Sequence, residues 1–150
     1  AQIANVLQSM VLTKDDKMVL TPTYHVFRMY NVHQDATFLP LDLKCEREIV
    51  RGDRIVPMVS ATASRDANGV IHISLSNVHL DESQEIDINL EGLKVKSVTG
   101  EILTTKNITD HNTFENPNVV APKAFNGAKI AKGALKVTLP AKSIVVLEVK

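Results

Sequence analysis

The chain carries 17 aspartate and glutamate residues, and these are the first side chains with chemistry to offer. Two carboxylates on either side of an acetal bond can serve as general acid and as nucleophile or base. Asp81, Glu82 and Glu85 bracket one loop, and Glu46 and Glu48 share one face of an expected strand. Turns and polar strand faces keep carboxylates solvated, so both sets read as surface and no catalytic pair can be nominated. The histidines offer no metal site. His25 and His33 lie about two helical turns apart, too far for one zinc ion, and His72 and His79 lack a Cys or carboxylate at ligand spacing. Cys45 has no neighbouring base in sequence and reads as a plain thiol. There is no Gly-x-Ser-x-Gly, phosphate loop or dinucleotide fingerprint, so no cofactor is expected. Asn107-Ile108-Thr109 is a glycosylation sequon of a kind common by chance.

The elements that would position such groups fall into two parts. Ala1 to Thr13 is apolar without a start signal, as though cut within an element, and Lys14-Asp15-Asp16-Lys17 makes a polar turn. Met18 to Leu20 forms a short run of buried-strand type. Thr21-Pro22 then opens a helix, because a Thr N-cap accepts backbone N–H bonds and Pro at the first position lacks only a donor that would go unused. The helix is expected to reach His33 or Gln34, with Val26, Met29, Tyr30 and His33 at helical spacing and Phe27 beside them.

After Asp35 the period changes to two. Ile71, Ile73 and Leu75 alternate with His72, Ser74 and Ser76; Ile86, Ile88 and Leu90 alternate with Asp87 and Asn89; Leu135, Val137 and Leu139 alternate with Lys136 and Thr138. These predict half-buried strands. Asn68-Gly69 predicts a tight hairpin with antiparallel pairing on either side. Gly92, Gly100, Gly127 and Gly133, with Pro117, Pro122 and Pro140, divide the remainder into short pieces, and the closing Ser143–Lys150 run, apolar on both faces at first, suits a central strand. Short strands between turn signals predict an all-β, antiparallel β-sandwich of jelly-roll type.

Composition bounds the partners. Lys plus Arg and Asp plus Glu both number 17, so no net field holds nucleic acid or an anionic membrane. One cysteine permits no internal disulfide, which suits a reducing, cytoplasmic setting; export stays open, since a longer parent could carry a leader. No run of about 18 apolar residues is present.

Three segments in order, Ala1–Thr13, Lys17–Ala36 and Asn112–Pro122, resemble the C-terminal part of the α-L-arabinofuranosidases of glycoside hydrolase family 51, over nearly the whole chain. The resemblance implies a (β/α)8 barrel followed by a β-sandwich, with residues 1–36 the last strand and helix of the barrel and residues 37–150 the sandwich. It implies a retaining enzyme that releases terminal arabinofuranosyl groups from arabinan, arabinoxylan and their oligosaccharides, with both catalytic glutamates upstream of Ala1. It implies that Gln2 hydrogen-bonds bound arabinose; the rival reading is that Gln2 and Asn5 satisfy backbone groups near the barrel wall. The expected partner is the parent's barrel, with homo-oligomer contacts also expected, and arabinose-containing glycans are met through the parent enzyme. In the family the segment before the barrel can add strands to this sandwich, so an open edge is expected. Without the barrel, the helix is expected either to be poorly ordered or to be buried against the sandwich or a neighbouring molecule.

Two rivals remain. A carbohydrate-binding module would stack sugars on exposed aromatic rings. With no Trp, and with Tyr24 and Tyr30 both in the helix, only Phe114 and Phe125 could supply them, unless these are core anchors. A complete small interaction module is the other, and the abrupt apolar start argues against it.

Overall fold

The computed structural model describes residues 3–45, 48–131 and 133–150. Glu46, one of the acids considered above, lies outside these, as does Gln2.

The polar Asp15-Asp16 turn joins β1 (Val11–Lys14) to β2 (Lys17–Leu20) in an antiparallel hairpin, with Lys14 opposite Lys17. Helix α1 (Pro22–Tyr30) follows as its cap chemistry requires. The Thr21 hydroxyl accepts from the Tyr24 N–H at 3.4 Å, and Pro22 stands in the first turn. The helix tightens into a 3-10 turn over Asn31–His33, so the helical run ends at the expected residue.

The remaining strands are β3 (Thr37–Leu39), β4 (Glu48–Arg51), β5 (Arg54–Pro57), β6 (Val59–Arg65), β7 (Ile71–Asn77), β8 (Gln84–Ile88), β9 (Val98–Thr104), β10 (Lys123–Ala124), β11 (Ala128–Ala131), β12 (Ala134–Leu139) and β13 (Ser143–Val149). Among the described residues they form a six-stranded sheet in the order β10-β9-β13-β7-β6-β3, a three-stranded sheet β11-β12-β8, and the separate hairpin β4-β5. All pairings between these strands are antiparallel. The all-β sandwich is therefore the observed architecture, and β13, apolar on both faces, is a central strand as its composition predicts.

The two sheets face one another across a core. Leu75, Val145 and Leu147 of the large sheet meet Leu135, Val137 and Leu139 of the small one, each at most 1% exposed, and Phe125 joins them. Burial of such a side chain stabilises by about 1.5–3 kcal/mol, which is why the period-two pattern fixes these strands so firmly.

Helix α1 covers the opposite, outer face of the large sheet. Met29 packs with Leu103, Val120 and Val146, and Val26, Tyr30, Val32 and Ile144 complete this second cluster. Burial against the sandwich is thus the expected state that the chain adopts. Phe27 departs from the expectation: it points away from this cluster and is 63% exposed.

Three other expectations are corrected. His72 and Ser74 alternate with the apolar residues of β7 but are buried, at 6% and 1% exposed, because the helical segment lies over them. The Asn68-Gly69 hairpin pairs β6 with β7 antiparallel as expected, but its loop runs from Asp66 to Val70 and is longer than the tight turn expected. The Asp66 carboxylate accepts from the Asn68 and Val70 N–H groups, each at 2.9 Å, and Gly69 alone takes a positive φ there. Gly100 marks no break. It sits within β9, where an added Cβ would lie 2.8 Å from Leu147 Cδ2 and 3.1 Å from the Val146 oxygen.

Candidate functional site

The motif-bearing segments converge at the N-terminal hairpin, α1 and the loop before β10. The Thr21 hydroxyl, besides capping α1, donates toward the Ser9 oxygen at 2.7 Å, with the Met10 oxygen at 3.1 Å, and so ties the helix start to the segment before β1. Asn112, 5% exposed, donates from Nδ2 to the Leu20 and Val120 oxygens, both at 2.8 Å, and accepts the Val120 N–H at 2.7 Å. One buried amide thus staples β2 to the loop after Thr105. Asn5 accepts the Thr13 N–H at 2.7 Å and donates to the Thr13 hydroxyl at 2.7 Å, satisfying backbone as the rival reading of Gln2 and Asn5 supposes for Asn5.

Two imidazoles of the helical segment, buried His25 on α1 and half-buried His33 in the 3-10 turn, face the outer side of the large sheet. His33 Nδ1 is 2.7 Å from Ser64 Oγ and Nε2 is 2.6 Å from Ser74 Oγ, and its ring meets Tyr30 edge-on at 5.8 Å. Desolvation holds His33 below the ordinary histidine value, and the nearby His72 adds to this. Desolvation raises the Tyr30 phenol above its usual value, partly offset by a hydrogen bond to Ser74. His25 is 8% exposed, and neither ring nitrogen has a hydrogen-bond partner among the described residues. Burial, with Arg28 one turn on, lowers its pKa. Arg28 itself pairs with Glu101 on β9. His25, Arg28 and Glu101, with His72 and Glu148, line a cleft of about 680 Å³ between α1 and the outer sheet face.

The acids serve local structure. Glu85 accepts from the Thr138 hydroxyl at 3.0 Å, Asp87 pairs with Lys136 at 2.7 Å, and Glu148 pairs with Lys150 at 2.5 Å. Asp81 and Glu82 are exposed in the loop after β7, where their N–H groups donate to His79 Nδ1 at 3.1 and 2.8 Å. Asp66 lies below the usual carboxylate range: desolvation opposes this, but bonds from Val70, His72 and Asn68 outweigh it. Among the described residues, no three His, Cys, Asp or Glu side chains gather where they could hold a metal ion. Cys45 is half-buried against the main core.

Of the two candidate stacking residues, Phe125 is 9% exposed inside the core, so it is an anchor and cannot offer its face to a sugar. Phe114 is half-buried. The exposed rings are instead Phe27 and Phe38, at 63% and 67%, and periodicity missed both because each lies beside apolar neighbours that do face inward.

The fold and these residues define a helix-capped antiparallel β-sandwich domain whose described polar side chains are largely spent on holding its segments together. The model of the α-L-arabinofuranosidase C-terminal domain matches residues 1–143, and the chain belongs to that family. It is 65% identical over 150 residues to an intracellular exo-α-L-arabinofuranosidase of Bacteroides ovatus, covering all of this chain and 29% of that protein. Among solved structures, the family 51 arabinofuranosidase from Xanthomonas axonopodis pv. citri superimposes with a TM-score of 0.94 at 45% identity, over 100% of this chain and 30% of that one. The thermostable family 51 α-L-arabinofuranosidase from Thermotoga petrophila gives 0.83 at 26% identity, over 100% of this chain and 33% of that one. The chain thus spans about a third or less of the enzymes it resembles.

Proposed function

We propose that this chain is the supporting, non-catalytic C-terminal domain of an α-L-arabinofuranosidase, a retaining enzyme that removes terminal arabinofuranosyl groups from arabinan, arabinoxylan and their oligosaccharides. Residues 1–36 belong to the last strand and helix of the catalytic barrel, and residues 37–150 form the sandwich that braces it. The intracellular exo-acting relative supports terminal release and a cytoplasmic setting.

The observation that carries this reading is where apolar surface is left uncovered. Among the described residues, five of the fifteen exposed large apolar side chains, Ile3, Val6, Leu7, Met18 and Phe27, fall within the first 27 residues, on the segments that precede the sandwich. This denser share of exposed apolar side chains on the barrel-derived segments is what a barrel wall would bury. Gln2 stands at the start of the same segment, where contact with bound arabinose would place it at the barrel end. The open edges of β8 and β11 among the described residues are where a strand from the parent chain, or a second copy, adds.

The test is charge placed on the junction. Met18→Glu and Phe27→Glu in the full-length enzyme lower its thermal midpoint while kcat below that temperature stays at the wild-type value. Unchanged stability in both variants would mean that this face is not a junction.

A further inference from the structure

We propose that Asn68 is a site of spontaneous covalent modification: in the folded chain its side-chain amide is lost through ring closure and hydrolysis, while Asn126, in the same dipeptide, is held back by its packing. The sequence has Asn-Gly at residues 68–69 and 126–127, and both asparagines are exposed. The chemistry is the same at each. The glycine backbone nitrogen gives up its proton and attacks the asparagine Cγ, forming an N–Cγ bond and a five-membered succinimide, and the side-chain amide nitrogen leaves as ammonia. Water then opens the ring at either carbonyl, leaving aspartate or isoaspartate. Glycine favours the first step because no Cβ shields its nitrogen and its backbone turns freely. What separates the two sites is how far each can turn inside the fold.

At Asn68 the reacting peptide stands in open space. A Cβ added to Gly69 would meet nothing within 4 Å. One bond must part to free its nitrogen, the 3.1 Å donation from the Gly69 N–H to the Asp66 oxygen, and Ala67, Asn68 and Gly69 are all exposed, so water replaces it. The rest of the loop need not open. Asp66 Oδ1 keeps the Asn68 and Val70 N–H groups at 2.9 Å, and Asp66 Oδ2 keeps His72 at 3.3 Å. The ends of the hairpin stay paired, Arg65 opposite Ile71, while the tip reacts. Opening as local as this costs little beside unfolding.

At Asn126 the peptide is clamped on both sides. Phe125 donates its N–H to the Gly100 oxygen at 2.8 Å, and the Gly127 oxygen accepts the Thr138 N–H at 2.9 Å. A Cβ on Gly127 would fall 2.5 Å from Phe125 Cζ and 2.8 Å from the Thr138 oxygen, and the Phe125 ring belongs to the core. Turning this peptide into ring-closing geometry pulls Phe125 from the core or the start of β11 from β12, so the step waits for a much larger opening. Conversion at Asn68 therefore marks the folded protein, placing a new carboxylate beside that of Asp66, whereas conversion at Asn126 marks unfolding.

Peptide mapping by mass spectrometry of the full-length protein, held in mildly alkaline buffer with and without denaturing urea, tests this. In urea the two asparagines, sharing one dipeptide, are expected to convert at comparable rates. In the folded protein the Asn68 peptide is expected to convert at least about tenfold faster than the Asn126 peptide, a ratio that needs only about 1.4 kcal/mol between their openings. Its product is expected as both aspartate and isoaspartate, the mixture that a succinimide yields and direct hydrolysis does not. Asn126 keeping pace with Asn68 in the folded protein, Asn68 unconverted there over a time that converts it in urea, or aspartate without isoaspartate overturns the proposal.

Discussion

Substituting alanine for Gly127 probes the core where it has least slack. A Cβ on Gly127 would lie 2.5 Å from Phe125 Cζ, 2.7 Å from Cε2 and 2.8 Å from the Thr138 oxygen, against 3.4–4 Å for ordinary contact. The ring must therefore retreat by about 0.9 Å (3.4 less 2.5). It has nowhere to go, because Phe125 is 9% exposed and packed among the residues of both sheets. The Thr138 oxygen is backbone, and moving it disturbs the 2.9 Å bond from the Thr138 N–H to the Gly127 oxygen. Overpacking of this kind costs about 1–3 kcal/mol, and a clash with backbone as well as ring puts Gly127→Ala at the upper end, about 2–3 kcal/mol. Phe125→Leu deletes Cε2 and Cζ, so on that background only the Thr138 part remains. The two changes should then couple by about 1–2 kcal/mol, within the range seen for residues in contact. Urea titration of the four chains at neutral pH, with constant slope, measures the cycle; by heat, each kcal/mol is about 2–4 °C for a chain of this size. A Gly127→Ala chain within about 0.5 kcal/mol of wild type, or strictly additive costs, would refute this account of the Phe125 packing.

His25→Leu should raise stability at neutral pH by about 1–3 kcal/mol, since it replaces two buried nitrogens without partners by hydrocarbon, and a loss by urea titration would show that the ring is satisfied in solution. The same titration at falling pH should show wild-type stability eroding. Both folded-state histidine values are lowered, so the unfolded chain takes up protons first; the contribution is complete above the ordinary value, about 6.5, and is lost as pH falls through the folded values. Thr21→Ala should cost about 1 kcal/mol for the cap and leave the Ser9 oxygen without its donor, read as reduced helical signal and a lower midpoint. Asn77→Ala should cost about 2–3 kcal/mol, because its buried amide donates toward the Glu82, Leu139 and Pro140 oxygens at 2.9, 3.3 and 3.1 Å and accepts the His79 N–H. An Asn77→Ala chain as stable as wild type would mean that water replaces the amide.

Local chemistry was legible in the sequence. The Thr21-Pro22 start needs only the residues that make the cap, and the alternation of Leu135, Val137 and Leu139 needs only one buried face. β13 declared itself central because apolar residues on both faces have no other use. The misreadings share one cause. His72 and Ser74 look solvated until His33, Tyr30 and the helix arrive from elsewhere in the chain to cover them, and period alone carries no such tertiary information. Gly100 likewise reads as a breaker, although it is a strand residue with Leu147 against it. Two of the three segments that carry the family resemblance supply staples: Thr21 ties the start of α1 to the segment before β1, and Asn112 ties β2 to the loop after β9. A catalytic pair was not legible, which is what a domain spanning 29% of its relative predicts if the reacting carboxylates lie in the remainder.

Hydrolysis of p-nitrophenyl α-L-arabinofuranoside, by this chain and in parallel by the full-length enzyme that contains it, tests the central claim most directly. The account predicts release of nitrophenol by the full-length enzyme alone, with this chain at the buffer rate. Turnover by the 150-residue chain would contradict it, and would place a working carboxylate pair among the acids assigned here to local structure.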